Sequence, residues 1–206
     1  MFIVLEGIDG CGKTTQLQFI KEYFEENFPD KKVIVTREPG GTDCPVSEEI
    51  RNVILNNEMN EYTRALLYAA SRYEHQLKIK EWLDKDYIVI CDRYIYSSLA
   101  YQSNKDLSID EILSINRYNE IVKPDLILFF RIDLDTFHMR RRIRLQEREL
   151  DVMEKKSDEY FLSAIKGYIS AFKAVDEYLI EINATNSIQE VRNNIEKELN
   201  NFFVYN

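Results

Sequence analysis

The sequence predicts an α/β fold in which a parallel, five-stranded sheet is flanked by helices. Short runs rich in β-branched and aromatic residues alternate along the chain with longer segments of helical period. Several of these runs are apolar throughout, which is typical of strands buried on both faces of a parallel sheet. The 206 residues are 45% hydrophobic and 31% charged, with 6 glycines and 4 prolines, which indicates a globular chain and excludes a collagen-like or low-complexity one.

The first strand and the first helix are the clearest elements. Phe2 to Leu5 is a continuous apolar run, and it predicts the first strand. From Leu17 to Phe28, apolar residues recur at spacings of 3, 4 and 4, just before Pro29. This spacing predicts one buried helix face with a stop after it.

The later elements follow the same alternation. Four further strands are predicted, at Val33 to Thr36, Tyr87 to Cys91, Leu126 to Ile132 and Tyr178 to Ile182. Six further helices are predicted, at Val46 to Leu55, Tyr62 to Leu83, Ile109 to Val122, Leu134 to Arg148, Ser157 to Asp176 and Ser187 to Phe203. Two segments, Arg37 to Glu61 and Glu147 to Ser157, have the character of surface flaps. We therefore expect one domain, 1–206, with moving parts.

Charge and cysteine content limit the partners and the compartment. The 36 acidic and 27 basic residues give a net charge of −9, which repels a polyphosphate backbone, so nucleic acid is not an expected partner. The 3 cysteines show no C-x-x-C spacing, which supports neither a disulfide framework nor a zinc site. No apolar run is long enough to cross a bilayer, and the first residues do not follow a signal-peptide pattern. We expect a cytoplasmic protein with no membrane partner.

A phosphate-binding loop follows the first strand. Residues Gly7 to Thr14 read G-I-D-G-C-G-K-T, a full G-x-x-x-x-G-K-[ST] pattern between a strand and a helix. The glycines allow a tight turn whose backbone N–H groups surround phosphate oxygens. Lys13 is expected to reach the β- and γ-phosphates of a nucleotide such as ATP, and the Thr14 hydroxyl is expected to bind Mg²⁺.

Such a loop occurs in GTPases, in motor-type ATPases and in small-molecule kinases. No aspartate stands three residues before any of the glycines that follow the loop, so the D-x-x-G element of GTPases is missing. The nearest approach to the guanine-binding N-K-x-D signature, at 104–107, ends in leucine. A GTPase is therefore disfavoured.

Two arginines stand just past neighbouring predicted strands. Arg37 follows the second strand and Arg93 follows the third. In a parallel sheet the ligand site lies beyond the carboxyl ends of the strands, so both guanidiniums are expected beside the phosphate loop. A planar guanidinium binds phosphate oxygens in pairs, so the two arginines indicate an acceptor that already carries a phosphate.

Four motifs together resemble the thymidylate kinase family. They are the loop Gly7 to Thr14, R-E-P-G-G-T at 37–42, Y-A-A-S-R at 68–72 and D-R-Y-I-Y-S-S-L-A-Y-Q at 92–102. The resemblance covers nearly the whole chain. It implies the nucleoside monophosphate kinase variant of the phosphate-loop fold, transfer of the γ-phosphoryl of ATP to dTMP to give dTDP, and a homodimer.

The resemblance also implies the roles of individual residues. ATP would be bound by Gly7, Ile8, Asp9, Gly10, Cys11, Gly12, Lys13, Thr14 and Thr15. The substrate dTMP would be bound by Asp9, Arg37, Pro39, Tyr68, Arg72, Arg93, Tyr94, Ser98 and Gln102. Tyr68 and Arg72 are one helical turn apart, so a ring can stack on the base while a guanidinium bonds its edge. Asp9 would approach the 3′-hydroxyl, while Glu6 has a structural or a direct role.

An arginine-rich segment follows the fourth strand. Five arginines stand between 140 and 148, in an otherwise acidic chain. The resemblance implies that this segment leads into a lid near 141–157 that delivers an arginine to the transferred phosphoryl group. Gly10 occupies the loop position that is basic in other relatives, so the chain looks like the lid-arginine type found in bacteria.

The expected catalytic residues are Asp9, Lys13, Arg37, Arg93, Arg144 and Arg148. Val152 stands where many relatives have a lid arginine, which leaves open which of Arg141, Arg142, Arg144 and Arg148 acts. A nucleotide-binding segment is expected near 37–75. The alternatives are a kinase of another deoxynucleotide or of a deoxynucleoside, and a nucleotide-gated binding protein without catalysis.

Overall fold

A parallel sheet of five strands forms the centre of the molecule. The computed structural model describes residues 1–104, 106–147 and 157–205, and at 144–147 and 205 it describes the backbone alone. The strands are β1 (Phe2–Glu6), β2 (Val33–Arg37), β3 (Ile88–Asp92), β4 (Leu126–Arg131) and β5 (Leu179–Asn183). They lie in the order β2-β3-β1-β4-β5, and each neighbouring pair is parallel. The predicted sheet is confirmed, with every strand boundary within one residue of the predicted one.

Eight helices are described around this sheet. They are α1 (Lys13–Asn27), α2 (Pro45–Asn56), α3 (Glu61–Asp84), α4 (Ile95–Gln102), α5 (Ile109–Ile115), α6 (Leu134–Glu147), α7 (Asp158–Lys173) and α8 (Ile188–Tyr205). The crossover from β1 to β2 runs in the opposite direction along the sheet from the three later crossovers. Because such crossovers are right-handed, α1 lies on one face and the helices after β2, β3 and β4 lie on the other. The packing agrees, since α1 contacts α8, and α4 contacts α7, α3 and α5.

Two helix predictions differ from the structure. The predicted helix Ile109 to Val122 is wrong in its length: α5 ends at Ile115, Asn116 caps it, and Arg117 adopts a left-handed backbone with φ 48°. Helix α4 was not predicted. Its eight residues are mostly buried, so they lack the polar face that gives a helix its recognisable period.

The strand order places β1 between β3 and β4. Every residue of β1 is buried, including Glu6 at its carboxyl end. The phosphate loop leaves this central strand, and its neighbours β3 and β4 end at the same edge of the sheet. The loop therefore lies at the middle of the ligand-binding edge, where residues from both sides can reach it.

Candidate active site

A cavity of about 720 Å³ opens at this edge of the sheet. Most of the predicted site residues line it: Asp9, Gly10, Gly12, Lys13, Thr14, Thr15, Arg37, Pro39, Tyr68, Arg72, Arg93, Tyr94, Ser98 and Gln102. The other loop residues, Gly7, Ile8 and Cys11, are buried. The side chain of Arg144 and the whole of Arg148 and Val152 lie outside the described residues.

The phosphate loop has the backbone that its glycines predict. Gly12, at the start of α1, has φ 105°. A Cβ atom on Gly7 would lie 2.5 Å from the carbonyl oxygen of Phe130 on β4, so only glycine fits there. The first turn of α1 contains no acidic residue that would neutralise its N–H groups. The loop therefore offers an anion site formed by a helix N-terminus.

Lys13 is folded back over this loop. Its Nζ donates a hydrogen bond of 2.8 Å to the carbonyl of Gly7 and lies 3.4 Å from that of Ile8. The side chain is almost fully buried beside the cavity. The ammonium also lies 3.7 Å from Sγ of Cys11. A buried ammonium held by neutral groups such as these is well placed to exchange them for a phosphate oxygen.

Arg93 is held firmly beside the loop. Its backbone is left-handed, with φ 70°, and its N–H bonds to the carbonyl of Leu5 at 2.9 Å. Its Nη2 donates to Asp9 at 2.8 Å, and its guanidinium stacks on the ring of Tyr101 at 5.4 Å. Burial opposes the charged form, but Asp9 and the neighbouring tyrosines leave the pKa of Arg93 well above its usual value. The cavity thus contains a permanent, fixed positive charge.

Glu6 supports the same region from beneath. Its carboxylate accepts hydrogen bonds from the N–H of Tyr94 at 2.8 Å and of Ser97 at 3.1 Å, at the start of α4. Burial raises the pKa of Glu6 above its usual value, although Arg93 and these hydrogen bonds act in the opposite direction. The sequence left the role of Glu6 open, and the structure gives it a supporting position, since it does not line the cavity.

A second arginine, Arg72, is bound on three of its nitrogens. Its Nε donates to Glu38 at 2.6 Å and its Nη2 donates to Ser98 at 3.1 Å. Its Nη1 donates to Asn116, whose own amide nitrogen bonds to the carbonyl of Ile112 at 2.8 Å. Glu38 also contacts His75 at 3.2 Å. These contacts fix the orientation of the guanidinium, and Arg72 lines the cavity.

Gln102 presents a buried, unsatisfied amide on the same wall. Neither its oxygen nor its nitrogen has a hydrogen-bond partner among the described residues. An unpaired buried amide is costly, and it is most simply explained by a ligand that supplies the missing partners. Tyr68 lines the cavity one turn before Arg72, so an aromatic face and a polar edge lie together, as the sequence predicted.

Arg37 lines the cavity, but its guanidinium is paired with another residue of the chain, Glu48. Its Nη2 lies 2.9 Å and 2.8 Å from the two carboxylate oxygens of Glu48, and its side chain is 48% exposed. Glu48 also accepts a hydrogen bond from the N–H of Gly41 at 2.8 Å. An exposed ion pair of this kind is weak, so the guanidinium can move to a phosphate at little cost.

The arginines of α6 are divided among different partners. Arg140 donates to the carbonyls of Cys11 at 3.0 Å and Ala184 at 2.8 Å, and it lines the cavity. Arg141 pairs with Asp158 of α7 and lies 4.9 Å from the ring centre of Phe161. Arg141 therefore joins α6 to α7.

Several lining residues were not singled out from the sequence. They are Glu38, Arg51, Leu55, Asp92, Ser97, Tyr101, Arg140, Ile143 and Tyr160. Asp92 could have been found, because it directly follows the predicted strand Tyr87 to Cys91 and is the last residue of β3, at the ligand-binding edge. Tyr160 could not, because it lies in α7 and nothing near it in sequence marks a site.

The described part of the chain contains no group of three or more His, Cys, Asp or Glu residues that could hold a metal ion. One carboxylate oxygen of Asp92 is buried without a hydrogen-bond partner among the described residues, in the same cavity as Thr14. Among the described helices, none is long and apolar enough to cross a membrane.

Comparison with known proteins gives one consistent result. The family described as thymidylate kinase matches residues 5–195. A thymidylate kinase of Finegoldia magna is 41% identical over 197 residues, 93% of this chain and 93% of that protein. A thymidylate kinase of Halalkalibacterium halodurans is 38% identical over 196 residues, 92% of this chain and 91% of that protein. The fold is also similar to the crystal structure of thymidylate kinase from Ehrlichia chaffeensis, with a TM-score of 0.75 and 29% sequence identity. The aligned region is 97% of this chain and 98% of that one.

Proposed function

The chain belongs to the thymidylate kinase family, and on this premise we propose how its cavity divides between ATP and dTMP. The reaction is the transfer of the γ-phosphoryl group of ATP to dTMP, which gives dTDP. One observation carries the assignment: the phosphate loop, the fixed charge of Arg93 and the oriented guanidinium of Arg72 line a single cavity. Phosphoryl transfer needs such alignment and charge neutralisation more than it needs covalent chemistry.

The phosphate loop binds ATP. The N–H groups of the loop residues Gly7 to Thr15 surround the phosphates, and Lys13 exchanges the carbonyl of Gly7 for a phosphate oxygen. Oxygen ligands suit Mg²⁺, and the residues that would hold it are Thr14 and Asp92, whose buried oxygen lacks a partner among the described residues. Bound Mg²⁺ neutralises charge on the β- and γ-phosphates.

Arg93 and Arg37 bind the phosphate of dTMP. Arg93 is already oriented by Asp9, while Arg37 leaves its exposed pair with Glu48. Asp9 belongs to the loop and accepts a hydrogen bond from Arg93 at 2.8 Å, a position that suits an approach to the 3′-hydroxyl of the sugar. The two cations hold the acceptor oxygen in line with the γ-phosphorus.

The thymine base lies between Tyr68 and the polar groups of α3 and α4. The ring of Tyr68 stacks on the base, Arg72 donates to one edge, and Ser98 and Gln102 meet the other. Pro39 and Tyr94 complete the wall. A base that leaves Gln102 or Arg72 unpaired is rejected strongly, because those groups are buried.

A cation from the C-terminal end of α6 or from the segment after it completes the charge clamp. The loop residue Gly10 provides no positive charge, which supports the lid-arginine type. Arg141 is bound to Asp158, so Arg144 and Arg148 are the better candidates for the residue that meets the transferred group. We assign the nucleotide-binding segment to 37–75 and the lid to 141–157 of a single domain, 1–206.

The protein forms a homodimer through an apolar surface on α2 and α3. We call it the α2–α3 face; its exposed residues are Val46, Val53, Tyr62, Leu66, Tyr73 and Leu77. The four on α3 follow each other at helical spacing, so they form one stripe. The chain as a whole is acidic, with a net charge of −9, so an exposed apolar stripe stands out on its surface. Such a stripe supports association with a second copy, which would bury it. The three unpaired cysteines support a cytoplasmic location.

A coupled assay of ADP release with ATP and Mg²⁺, run against a panel of nucleoside monophosphates and thymidine, tests these assignments. We expect dTMP to be the preferred acceptor and thymidine to be inert, because Arg37 and Arg93 require a phosphate. Turnover of thymidine at the rate of dTMP would mean that these arginines do not bind the acceptor.

A further inference from the structure

The guanidinium of Arg93 is also held by α7, an element to which no role in the reaction has been given. The hydroxyl oxygen of Tyr168 on α7 lies 3.1 Å from Nη1 of Arg93. The same nitrogen lies 2.9 Å from Oγ of Ser97 on α4. Two hydroxyls from two helices therefore meet one nitrogen of the arginine.

Glu6 decides the direction of these hydrogen bonds. Its Oε2 lies 2.6 Å from the Ser97 hydroxyl and 2.8 Å from the Tyr168 hydroxyl. An ionised carboxylate only accepts, and each hydroxyl has one proton. The two hydroxyls also lie 2.9 Å from each other, but each lies closer to the carboxylate, and its negative charge makes it the stronger acceptor, so both hydroxyls donate to Glu6. The lone pairs that remain then face Arg93, whose Nη1 has two hydrogens to donate. Both of those hydrogens are satisfied, and Nη2 is held by Asp9 at 2.8 Å.

The hydroxyl of Tyr168 is itself fixed by packing. The residue is fully buried. Its ring centre lies 5.1 Å from that of Phe129 and 5.8 Å from that of Phe172. The ring cannot turn its hydroxyl away from Glu6 and Arg93 without disturbing the core.

We propose that Tyr168 is a positioning residue of the reaction, whose hydroxyl, oriented by Glu6, fixes the angle of the Arg93 guanidinium toward the acceptor phosphate. This rests on the proposed role of Arg93. Without the hydroxyl, Arg93 keeps its charge and its bond to Asp9, so it still attracts the phosphate of dTMP. What it loses is the fixed geometry that aligns the phosphate for transfer. Removing the hydroxyl should therefore lower kcat and leave KM nearly unchanged.

The variant Tyr168→Phe removes the hydroxyl and keeps the ring. Its matched control is Tyr96→Phe, because Tyr96 is also fully buried, its ring centre lies 5.8 Å from that of Phe172, and its hydroxyl has no partner among the described residues. We expect Tyr168→Phe to lower kcat for dTMP about tenfold, with KM for dTMP and for ATP within about threefold of wild type. We expect Tyr96→Phe to keep kcat within about twofold.

Three results would overturn the proposal. They are a kcat for Tyr168→Phe within about twofold of wild type, a fall in kcat that Tyr96→Phe shares, and an effect of Tyr168→Phe that appears mainly as a change in KM. If Tyr168→Phe does not fold, Ser97→Ala decides by the same criteria, because it removes the other acceptor of Nη1.

The variant Arg93→Ala separates this inference from its premise. If Arg93→Ala loses activity while Tyr168→Phe and Ser97→Ala do not, the positioning role is wrong and the acceptor site stands. If Arg93→Ala is as active as wild type, the acceptor-phosphate assignment fails and the inference fails with it.

Discussion

Arg72 shows how a single side chain is prepared for its ligand. Three of its nitrogens are bonded to Glu38, Asn116 and Ser98, so one N–H on each terminal nitrogen is left for the cavity. Glu38 is 4% exposed, which leaves its pair with Arg72 little contact with solvent. The guanidinium is thus oriented before the base arrives, and little entropy is lost on binding.

Replacing Arg72 with alanine should therefore remove both binding and base choice. We expect Arg72→Ala to lower kcat/KM for dTMP by roughly 10²-fold, about 3 kcal/mol, since a charged hydrogen bond is lost and Glu38 is left without its main partner. The control is Arg131→Ala, because Arg131 forms an exposed pair with Glu181 on the opposite side of the sheet from β2. Steady-state kinetics with dTMP, dCMP and dUMP measures the effect, and an unchanged order of preference would place Arg72 outside the base site.

Glu6 should make stability depend on pH. Because burial raises its pKa in the folded protein, the folded state holds this proton more tightly than the unfolded state. The free energy of unfolding contributed by Glu6 is then highest at acidic pH, and it falls as pH rises through the usual carboxyl pKa and the raised one.

The variant Glu6→Gln cannot titrate, so it should lack this component. We expect it to be less stable than wild type at acidic pH, because its amide nitrogen takes the place of Oε2 and cannot accept the bonds from the hydroxyls of Ser97 and Tyr168. The deficit should shrink as pH rises from the usual carboxyl pKa through the raised pKa of Glu6, because wild type loses stability over this range. Urea unfolding at several pH values measures the difference, and a deficit that stays constant over this range would show that Glu6 is not the titrating group.

The sequence predicted Tyr68 and Arg72 as partners because they share a helix face, but it did not predict what orients them. Glu38 and Asn116 lie 34 and 44 residues from Arg72 along the chain. No local spacing connects positions so far apart. The motifs therefore identified groups that line the cavity, while the groups that orient them could be found only from the fold.

At the scale of elements, helix α6 carries two kinds of arginine. Arg140 and Arg141 are used to hold α6 against the phosphate loop and against α7. The side chain of Arg144 and the whole of Arg148 lie outside the described residues, and the proposed function assigns these two arginines to the transferred phosphoryl group. Mutation can therefore test whether the structural arginines differ from the proposed catalytic ones.

Alanine variants of Arg141, Arg142, Arg144 and Arg148, assayed at saturating ATP and dTMP, test this division. We expect Arg144→Ala or Arg148→Ala to lower kcat on the order of 10³-fold, as cations that meet a transferred phosphoryl group do. We expect Arg141→Ala to lower the melting temperature with a smaller effect on kcat, because it loses Asp158 and the ring of Phe161. Arg142→Ala, on an exposed position, is the control. Uniformly mild changes in kcat would contradict the lid-arginine assignment.

Elements differ in how well periodicity reveals them. The strands were predicted within one residue because each is a short apolar run in a buried sheet. Helix α4 has six buried residues among its eight, so its sequence lacks two distinct faces. It nevertheless supplies Ser97, Ser98 and Gln102 to the lining of the cavity. The motif at 92–102 therefore marked this segment although its periodicity did not predict a helix.

At the scale of the whole molecule, the α2–α3 face predicts association. Leu77 lies on this face and is 62% exposed, so Leu77→Glu places a charge on it. We expect this variant to weaken dimerisation by at least about 10²-fold. The control is Val204→Glu, since Val204 is 76% exposed on α8 and lies off this face. Sedimentation over a range of concentrations measures the change. A wild-type chain that stays monomeric, or a dimer that Leu77→Glu leaves intact, would contradict the proposal.

The central place of β1 in the sheet has a consequence for synthesis on the ribosome. Its register pairs Phe2 with Val89 and Ile3 with Leu126, so both of its neighbours are made long after it. At about 5 to 20 residues per second, β1 waits for several seconds before either partner leaves the ribosome. During that time an apolar segment has no native strand to pair with. We therefore expect the nascent chain to bind chaperones through its first residues, and the phosphate loop to take its final shape only after β4 has emerged.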